Sequence, residues 1–365
     1  MTTTRRFLGI MSGSSADGVD VVLTEVEPGN FRVIQSHYAE FPHRLRQRIL
    51  SLQTPSTDEL ETAARLAADL SRGYAEAIRA VLGASGFRRQ DIRAIGCHGQ
   101  TVRHNPQSGY SIQLVNGALL AELSGISVVC DFRNRDIAAG GEGAPLVPAF
   151  HRAVFSSSEL NRVIANIGGI ANLTSLQHDG YVAGFDTGPG NVLLDGWAEK
   201  HLGRRMDEGG IWAQSGRVIS SLLDRLLAHP YFARIPPKST GRETFNLDWL
   251  ARNLSGTERP EDVQATLLTL TSKTIADAVR DHCQAADEIY VCGGGAHNTA
   301  LMSALIEELE PIPIRSTEVL AIGPDWVEAC AFAWLAYKAI HAEFGNLPAV
   351  TGARGERILG AIYPA

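Results

Sequence analysis

The sequence has no CxxC pair and an odd number of cysteines, Cys97, Cys130, Cys283, Cys292 and Cys330. That pattern supports neither a disulfide framework nor a zinc site. Cys97, Cys130 and Cys292 lie in apolar, strand-like runs and read as buried small hydrophobes. A long basic run is also lacking, and the formal net charge is -7. Nucleic acid is therefore excluded as a partner, because a phosphate backbone needs clustered Lys and Arg. Small anions remain possible ligands, since a few local N–H groups suffice for them. No apolar run approaches the roughly 20 residues of a membrane span. The stretch 1–6 is too short and too polar for a signal peptide. These absences predict a soluble protein of the reducing cytoplasm. Low-complexity segments and extended linkers are missing too. So are the P-loop pattern GxxxxGKS/T, the dinucleotide pattern GxGxxG and the hydrolase elbow GxSxG.

What is present is ordinary globular composition: 365 residues, 44% hydrophobic and 20% charged. That length favours two domains with full cores. Short apolar strands at 7–11, 19–26 and 31–37 open the chain as an antiparallel meander. Helices follow at 43–52 and 57–82, the second with apolar residues at helical spacing. Strands are predicted at 92–97, 111–115 and 127–132, and a short helix at 118–123. His98, Gly99, Gln100 and Thr101 follow the first of these strands, and His98 and His104 flank a loop. Residues 133–143 read as a second loop. Residues 144–155 read as a helix with Pro145 in its first turn, where proline is tolerated. A new strand, glycine turn and strand span 162–176 and echo the opening hairpin in layout. A strand at 180–185 and a helix at 191–202 come next, then helices at 218–227, 247–254 and 263–282, with a loop at 236–242. The chain closes with a strand at 288–292, a helix at 299–309 and an apolar helix at 326–341. Two hairpin-led α/β halves predict a duplicated architecture whose turns face each other across a cleft. The boundary is expected near the helix at 144–155. That gives one domain over 1–145 and a second over 146–365, with the C-terminal end packing back on the first.

Three glycine-rich turns follow strands: Ser12 to Gly18, Gly168-Gly169, and Gly293-Gly294-Gly295. Such turns bring main-chain N–H groups close to oxyanions at strand C-termini. One alone is as readily a structural turn; three in two halves point to a split nucleotide site. Ser14 and Ser15 suit phosphate or simple turn stabilisation. Asp17 suits a Mg²⁺ ion held through water, or an Asx turn. The stretch Gly184-Phe185-Asp186-Thr187-Gly188-Pro189-Gly190-Asn191 puts a carboxylate where a strand gives way to a helix. It reads either as a tight turn with an acid near a helix start or as a ligand site whose glycines bare the backbone. Arg133, Arg135 and Asp136 form a charged cluster suited to carboxylate or phosphate recognition, or to an interdomain salt bridge. Glu328 either satisfies the dipole of the last helix or accepts from a sugar hydroxyl.

In order and spacing these motifs closely resemble the anhydro-N-acetylmuramic acid kinase family. The matching stretches are Met11 through Asp20, His98-Gly99-Gln100-Thr101, Asp131-Phe132-Arg133 through Gly143-Ala144-Pro145-Leu146-Val147-Pro148, Asn166-Ile167-Gly168-Gly169, Gly184 through Asn191, and Cys292-Gly293-Gly294-Gly295. The resemblance runs from Phe7 to Pro364. It implies an α/β, two-domain actin-like (ribonuclease H-like) sugar kinase fold with an interdomain cleft. It implies ATP and Mg²⁺ as cofactors, 1,6-anhydro-N-acetylmuramic acid as substrate, and a homodimer. Water would add at C1, the 1,6 bridge would open, and O6 would be phosphorylated. By the same resemblance Asp186 is the base. Ser12, Gly13, Ser14, Ser15, Asp17 and Gly18 lie over the phosphates, Gly168 and Gly169 form the second phosphate hairpin, and Gly293, Gly294, Gly295 and Asn298 reach toward adenosine. Arg135, Glu328, His98, Gln100 and Thr101 are expected around the sugar. Departures from the family pattern are Ser14 for Thr, Glu142 for Gln, and Val115 and Gly117 for the Gly and Pro after Gln113. Ser14 keeps the hydroxyl. Glu142 adds a negative charge next to a substrate loop, and Val115 and Gly117 put loop shape and substrate affinity in question, not the reaction class. The alternatives within reach are a kinase of an ordinary sugar hydroxyl and a nucleotide-dependent binding module.

Overall fold

The computed structural model describes residues 5–13, 15–283 and 285–365. Contacts divide the chain into two compact units, Met1–Val154 with Trp326–Ala365, and Phe155–Asp325. In chain order the first unit contains β1 (Arg6–Ser12), β2 (Gly18–Glu27), β3 (Asn30–Glu40), α1 (His43–Ser51), α2 (Glu59–Ser85), β4 (Ala94–Asn105), β5 (Tyr110–Leu114), α3 (Gly117–Ser124), β6 (Val128–Cys130), α4 (Phe132–Ala138) and α5 (Val147–Phe155), whose last residue begins the second unit. The second unit continues with β7 (Arg162–Ile167), β8 (Ile170–Leu176), β9 (Val182–Pro189), α6 (Val192–Leu202), α7 (Ile211–Ser215), α8 (Ser220–Leu227), α9 (Leu247–Asn253), α10 (Pro260–His282), β10 (Glu288–Cys292), α11 (Thr299–Glu308) and β11 (Ile314–Ser316). The chain returns to the first unit with α12 (Val327–Ile340), α13 (Pro348–Thr351) and β12 (Ala361–Tyr363).

The first unit is built on a sheet of order β12-β6-β4-β1-β2-β3, with β5 paired to β4. β1 is antiparallel to β2 and parallel to β4. Leu8, Ile10, Val21 and Leu23 pack with Leu70, Tyr74 and Ile78 of α2 in one core. Against the strands lies α12, and it lies unusually close. A Cβ at Gly9 would sit 1.9 Å from the Ala329 carbonyl oxygen, and one at Gly96 1.9 Å from that of Phe332. Only glycine on β1 and β4 lets this helix backbone approach so near.

The second unit has the sheet order β11-β10-β7-β8-β9. The β7–β8 hairpin is antiparallel, and β7 runs parallel to β10 with Asn166 opposite Cys292. Leu173, Phe185, Leu267, Leu270, Ile275 and Val291 anchor its core.

Several expectations need correction. β4 does not stop at Cys97. It runs through His98, Gly99, Gln100, Thr101 and His104, so both histidines are strand residues and flank no loop. Gly99, at φ 77°, reads as a breaker in sequence but is accommodated within the strand. Residues 133–138, expected as loop, belong to α4, which also takes Phe132, expected to end the preceding strand. Hydrogen bonds, more than apolar periodicity, hold its inner face: the buried Asp136 carboxylate accepts from Gly143 N (2.8 Å), Asn346 Nδ2 (2.7 Å) and Thr351 Oγ1 (2.8 Å). Pro145 follows a cis bond and precedes α5 instead of opening it. Most consequential, Asp186 to Pro189 belong to β9 and not to a turn. Gly188 takes a φ of 147° where the β8–β9 register shifts. Pro189 is tolerated because β9 is an edge strand.

Candidate active site

In the first unit the turn after β1 is bolted from beneath by Gln100. The Gln100 carboxamide oxygen takes the Ser12 hydroxyl at 2.6 Å, and Nε2 donates to the Gly13 carbonyl at 3.1 Å. Gln100 is fully buried. The sugar was its expected partner; its contacts here are to the turn. Ser15 Oγ donates to Asp17 Oδ1 at 2.7 Å, and the Asp17 carbonyl accepts from Phe41 N. A Cβ at Gly18 would strike the Tyr38 ring at 2.4 Å, so the end of the turn needs glycine. Ser14 lies outside the described residues.

His98 is buried, and its Nε2 accepts from Arg133 Nε (3.1 Å) and Nη2 (2.9 Å). Burial, then the Arg133 charge, holds its pKa well below the ordinary histidine value. The ring is therefore neutral and free to accept. Arg133 Nη1 also donates to the Gly143 carbonyl at 2.8 Å. Burial lowers the Arg133 guanidinium to about 10, while the Glu328 and Asp136 carboxylates pull it back up. Thus Arg133, left open between ligand and salt-bridge readings, is tied to His98, with Glu328 acting on its charge. Glu328 is in the first turn of α12. Arg135 is exposed on α4. Thr101 Oγ1 accepts from Gln113 Nε2 at 3.2 Å. Among the departures, Glu142 accepts from Gln107 Nε2 at 3.1 Å, and Val115 packs on the core. A Cβ at Gly117 would meet the Tyr363 ring at 2.6 Å.

In the second unit three of the motif stretches meet at one end of the sheet. The Gly168 carbonyl accepts from Asn191 N (2.8 Å), and that of Gly169 from Gly190 N (2.9 Å) and Val192 N (3.0 Å). The β7–β8 turn is thereby clipped to the end of β9. A Cβ at Gly168 would touch only the Ile170 carbonyl, at 3.6 Å, so this turn presents open backbone. Gly293 follows β10 at φ 78°, and a Cβ on Gly295 would lie 2.4 Å from Ile167 Cγ2. Asn298 caps α11, its Oδ1 accepting from Leu301 N at 3.1 Å.

Asp186 stands beside these turns on β9, partly buried. Its N–H donates to the Lys238 carbonyl (3.1 Å), its carbonyl accepts from Tyr231 Oη (2.8 Å), and its Oδ2 accepts from Thr240 N (3.0 Å). Burial pushes the carboxyl up to about 7, against the Thr240 amide and with help from the Glu243 charge. A carboxyl poised near neutrality is what a general base requires. The loop that wraps it, 231–243, carried no functional expectation. Its signal in the sequence was only a polar run after Pro236-Pro237 in a long connection, of the kind that often serves a site.

Two α/β units, each opened by a β-hairpin with a glycine turn, make this an actin-like sugar kinase fold. The crystal structure of component A of the (R)-2-hydroxyglutaryl-CoA dehydratase of Acidaminococcus fermentans is similar, with a TM-score of 0.50 at 14% identity over 91% of this chain and 98% of that one. The family model for anhydro-N-acetylmuramic acid kinase matches residues 5–365, and the chain belongs to that family. The anhydro-N-acetylmuramic acid kinase of Thiobacillus denitrificans is 55% identical over 98% of this chain and 97% of its own length. That of Nitrosomonas europaea is also 55% identical, over 98% and 99%.

Proposed function

We propose that this protein uses ATP to convert 1,6-anhydro-N-acetylmuramic acid into N-acetylmuramic acid 6-phosphate and ADP, as a step of peptidoglycan recycling. The observation that carries the reading is Asp186, a carboxyl lifted to about 7 on the strand whose end is clipped to the open Gly168-Gly169 turn. In its ionised form Asp186 takes a proton from water as the water oxygen attacks C1. The C1–O6 bond breaks, and O6 attacks the γ-phosphorus as ADP departs. The reaction class needs positioning and electrostatic stabilisation more than covalent chemistry from the protein. Main-chain N–H groups of Ser12 to Gly18 and of Gly168-Gly169 serve the phosphates, and Gly293 to Gly295 with Asn298 serve adenosine. His98 and Gln100 act by holding Arg133 and the phosphate turn, while Thr101, Arg135 and Glu328 serve the sugar.

Mg²⁺ fits Asp17, the acid nearest the phosphate turn. One of its carboxylate oxygens is engaged by Ser15, which leaves the other for a metal-bound water. Among the described residues no group of three or more His, Cys, Asp or Glu gathers to cage a metal, so phosphate oxygens and water would complete the shell. The bound ion neutralises phosphate charge. Among the described residues no helix is long and apolar enough to cross a membrane. With five free, buried cysteines, this supports a cytoplasmic location. A homodimer is the expected assembly from the family.

The test is ADP release measured with 1,6-anhydro-N-acetylmuramic acid, free N-acetylmuramic acid and N-acetylglucosamine. Release that depends on the anhydro sugar is expected. Release only with the free sugars would make this a kinase of an ordinary hydroxyl. Binding of ATP without sugar-stimulated release would make it a binding module.

A further inference from the structure

Thr240 offers two groups to the neighbourhood of Asp186, and only one is in use. Its main-chain N–H is bonded to Asp186 Oδ2 at 3.0 Å. Its hydroxyl is buried and, among the described residues, has no hydrogen-bond partner. A buried hydroxyl left unpaired destabilises the fold, so an orphan beside a reactive carboxyl calls for an explanation. Among the described residues Asp186 Oδ1 has no hydrogen-bond partner either; its carboxylate is bonded there through Oδ2. The amide nitrogen and hydroxyl of one threonine are within roughly 4 Å of each other. A buried unpaired hydroxyl and a carboxylate oxygen with no partner among the described residues thus belong to the two residues joined by one carboxylate–amide bond. A single water has the donors and acceptors to serve both.

The surrounding contacts fix this pair in place. Lys238 O and Tyr231 Oη grip the Asp186 main chain from the same loop that carries Thr240. Lys238 is nearly buried, its ammonium 3.3 Å from the Phe232 carbonyl and 5.1 Å from the centre of the Tyr231 ring. The loop is therefore anchored twice on the N-terminal side of its contact with the carboxyl.

We propose that Thr240 is a further catalytic residue, its hydroxyl holding the attacking water against Asp186 Oδ1. The inference rests on the ring-opening reading above. The water donates one hydrogen to Asp186 and the other to Thr240 Oγ1, which leaves an oxygen lone pair for C1. On attack the first proton passes to Asp186, the C1–O bond forms and the C1–O6 bond breaks. Thr240 keeps its own proton throughout.

Thr240→Val keeps the amide that orients Asp186 and removes only the hydroxyl; Thr240→Ser restores it. Turnover of 1,6-anhydro-N-acetylmuramic acid is expected to fall at least ~10-fold in Thr240→Val and to recover within about 3-fold in Thr240→Ser, the scale of one lost polar contact to a reacting group. KM for ATP and for the sugar should stay within about 2-fold, and the melting temperature should hold or rise. Turnover near wild type in a folded Thr240→Val protein overturns the inference. So does a fall that Thr240→Ser does not rescue, or one that appears only in KM. If Thr240→Val does not fold, Thr240→Ala and Thr240→Ser are compared in the same way. Wild-type protein inactive on the anhydro sugar would instead overturn the functional reading, so the two failures are distinct.

Discussion

At the scale of single residues, Asp186 joins function to stability. A carboxyl with a folded pKa of about 7 holds its proton more tightly than in the unfolded chain, where the value is 3.8. Its contribution to stability is therefore full below about pH 4 and is lost as pH rises toward 7. As a base it is needed in the opposite state. The account predicts that kcat/KM rises with pH through a midpoint near 7. Asp186→Asn should lower turnover at least ~100-fold while ATP binding stays near wild type. The same variant should be more stable than wild type at about pH 8, by roughly 1–2 kcal/mol after allowing for the partial exposure of the carboxyl, and nearly equal to it below about pH 5. Thermal melts across that range check the sign, and a constant difference would contradict it. His98 makes a second residue-scale case. Its neutral ring accepts two N–H groups of a buried guanidinium. His98→Phe keeps the packing on Phe332 and strands those donors. It should cost about 1–3 kcal/mol in chemical denaturation.

At the scale of elements, glycine was the hardest residue to read. Gly99 and Gly188 look like punctuation in sequence, yet each is embedded in a strand. The cross-strand partners that keep those strands going, Leu114 beside Gln100 and Asn172 opposite Asp186, lie too far along the chain for local patterns to reveal. Gly9 and Gly96 carry no local signal at all, because their purpose is the distant backbone of α12. Gly96→Ala should therefore cost about 3 kcal/mol or more, since a carbonyl oxygen 1.9 Å from the new Cβ cannot yield without moving the helix. A denaturation midpoint near wild type would show that α12 moves freely. Apolar periodicity, by contrast, exposed α2, whose buried Leu66, Leu70, Tyr74, Ile78 and Val81 follow the helical repeat. It missed α4, whose inner face is fixed by the hydrogen bonds of Asp136.

At the scale of the whole molecule, the hairpin-led repetition of the two units was legible, as was the family. Glycine turns and acids in a fixed order carry that signal even where single motifs are modest. The loop 231–243 was not legible. Its residues act through main-chain groups and one orphan hydroxyl, which leave no residue-type signature. Residue type alone did not separate Arg133, held by His98, from the exposed Arg135; only the family resemblance did. The homodimer proposed from the family predicts that sedimentation gives twice the mass of one 39.3 kDa chain.

The central claim is that Asp186 activates water for attack at C1. Wild-type enzyme is given the anhydro sugar and ATP in isotopically labelled water, and the product is examined by mass spectrometry. The account predicts one labelled oxygen at C1, none in the phosphoryl group, and loss of this product in Asp186→Asn. Unlabelled C1, or product formed at the wild-type rate by Asp186→Asn, would contradict it.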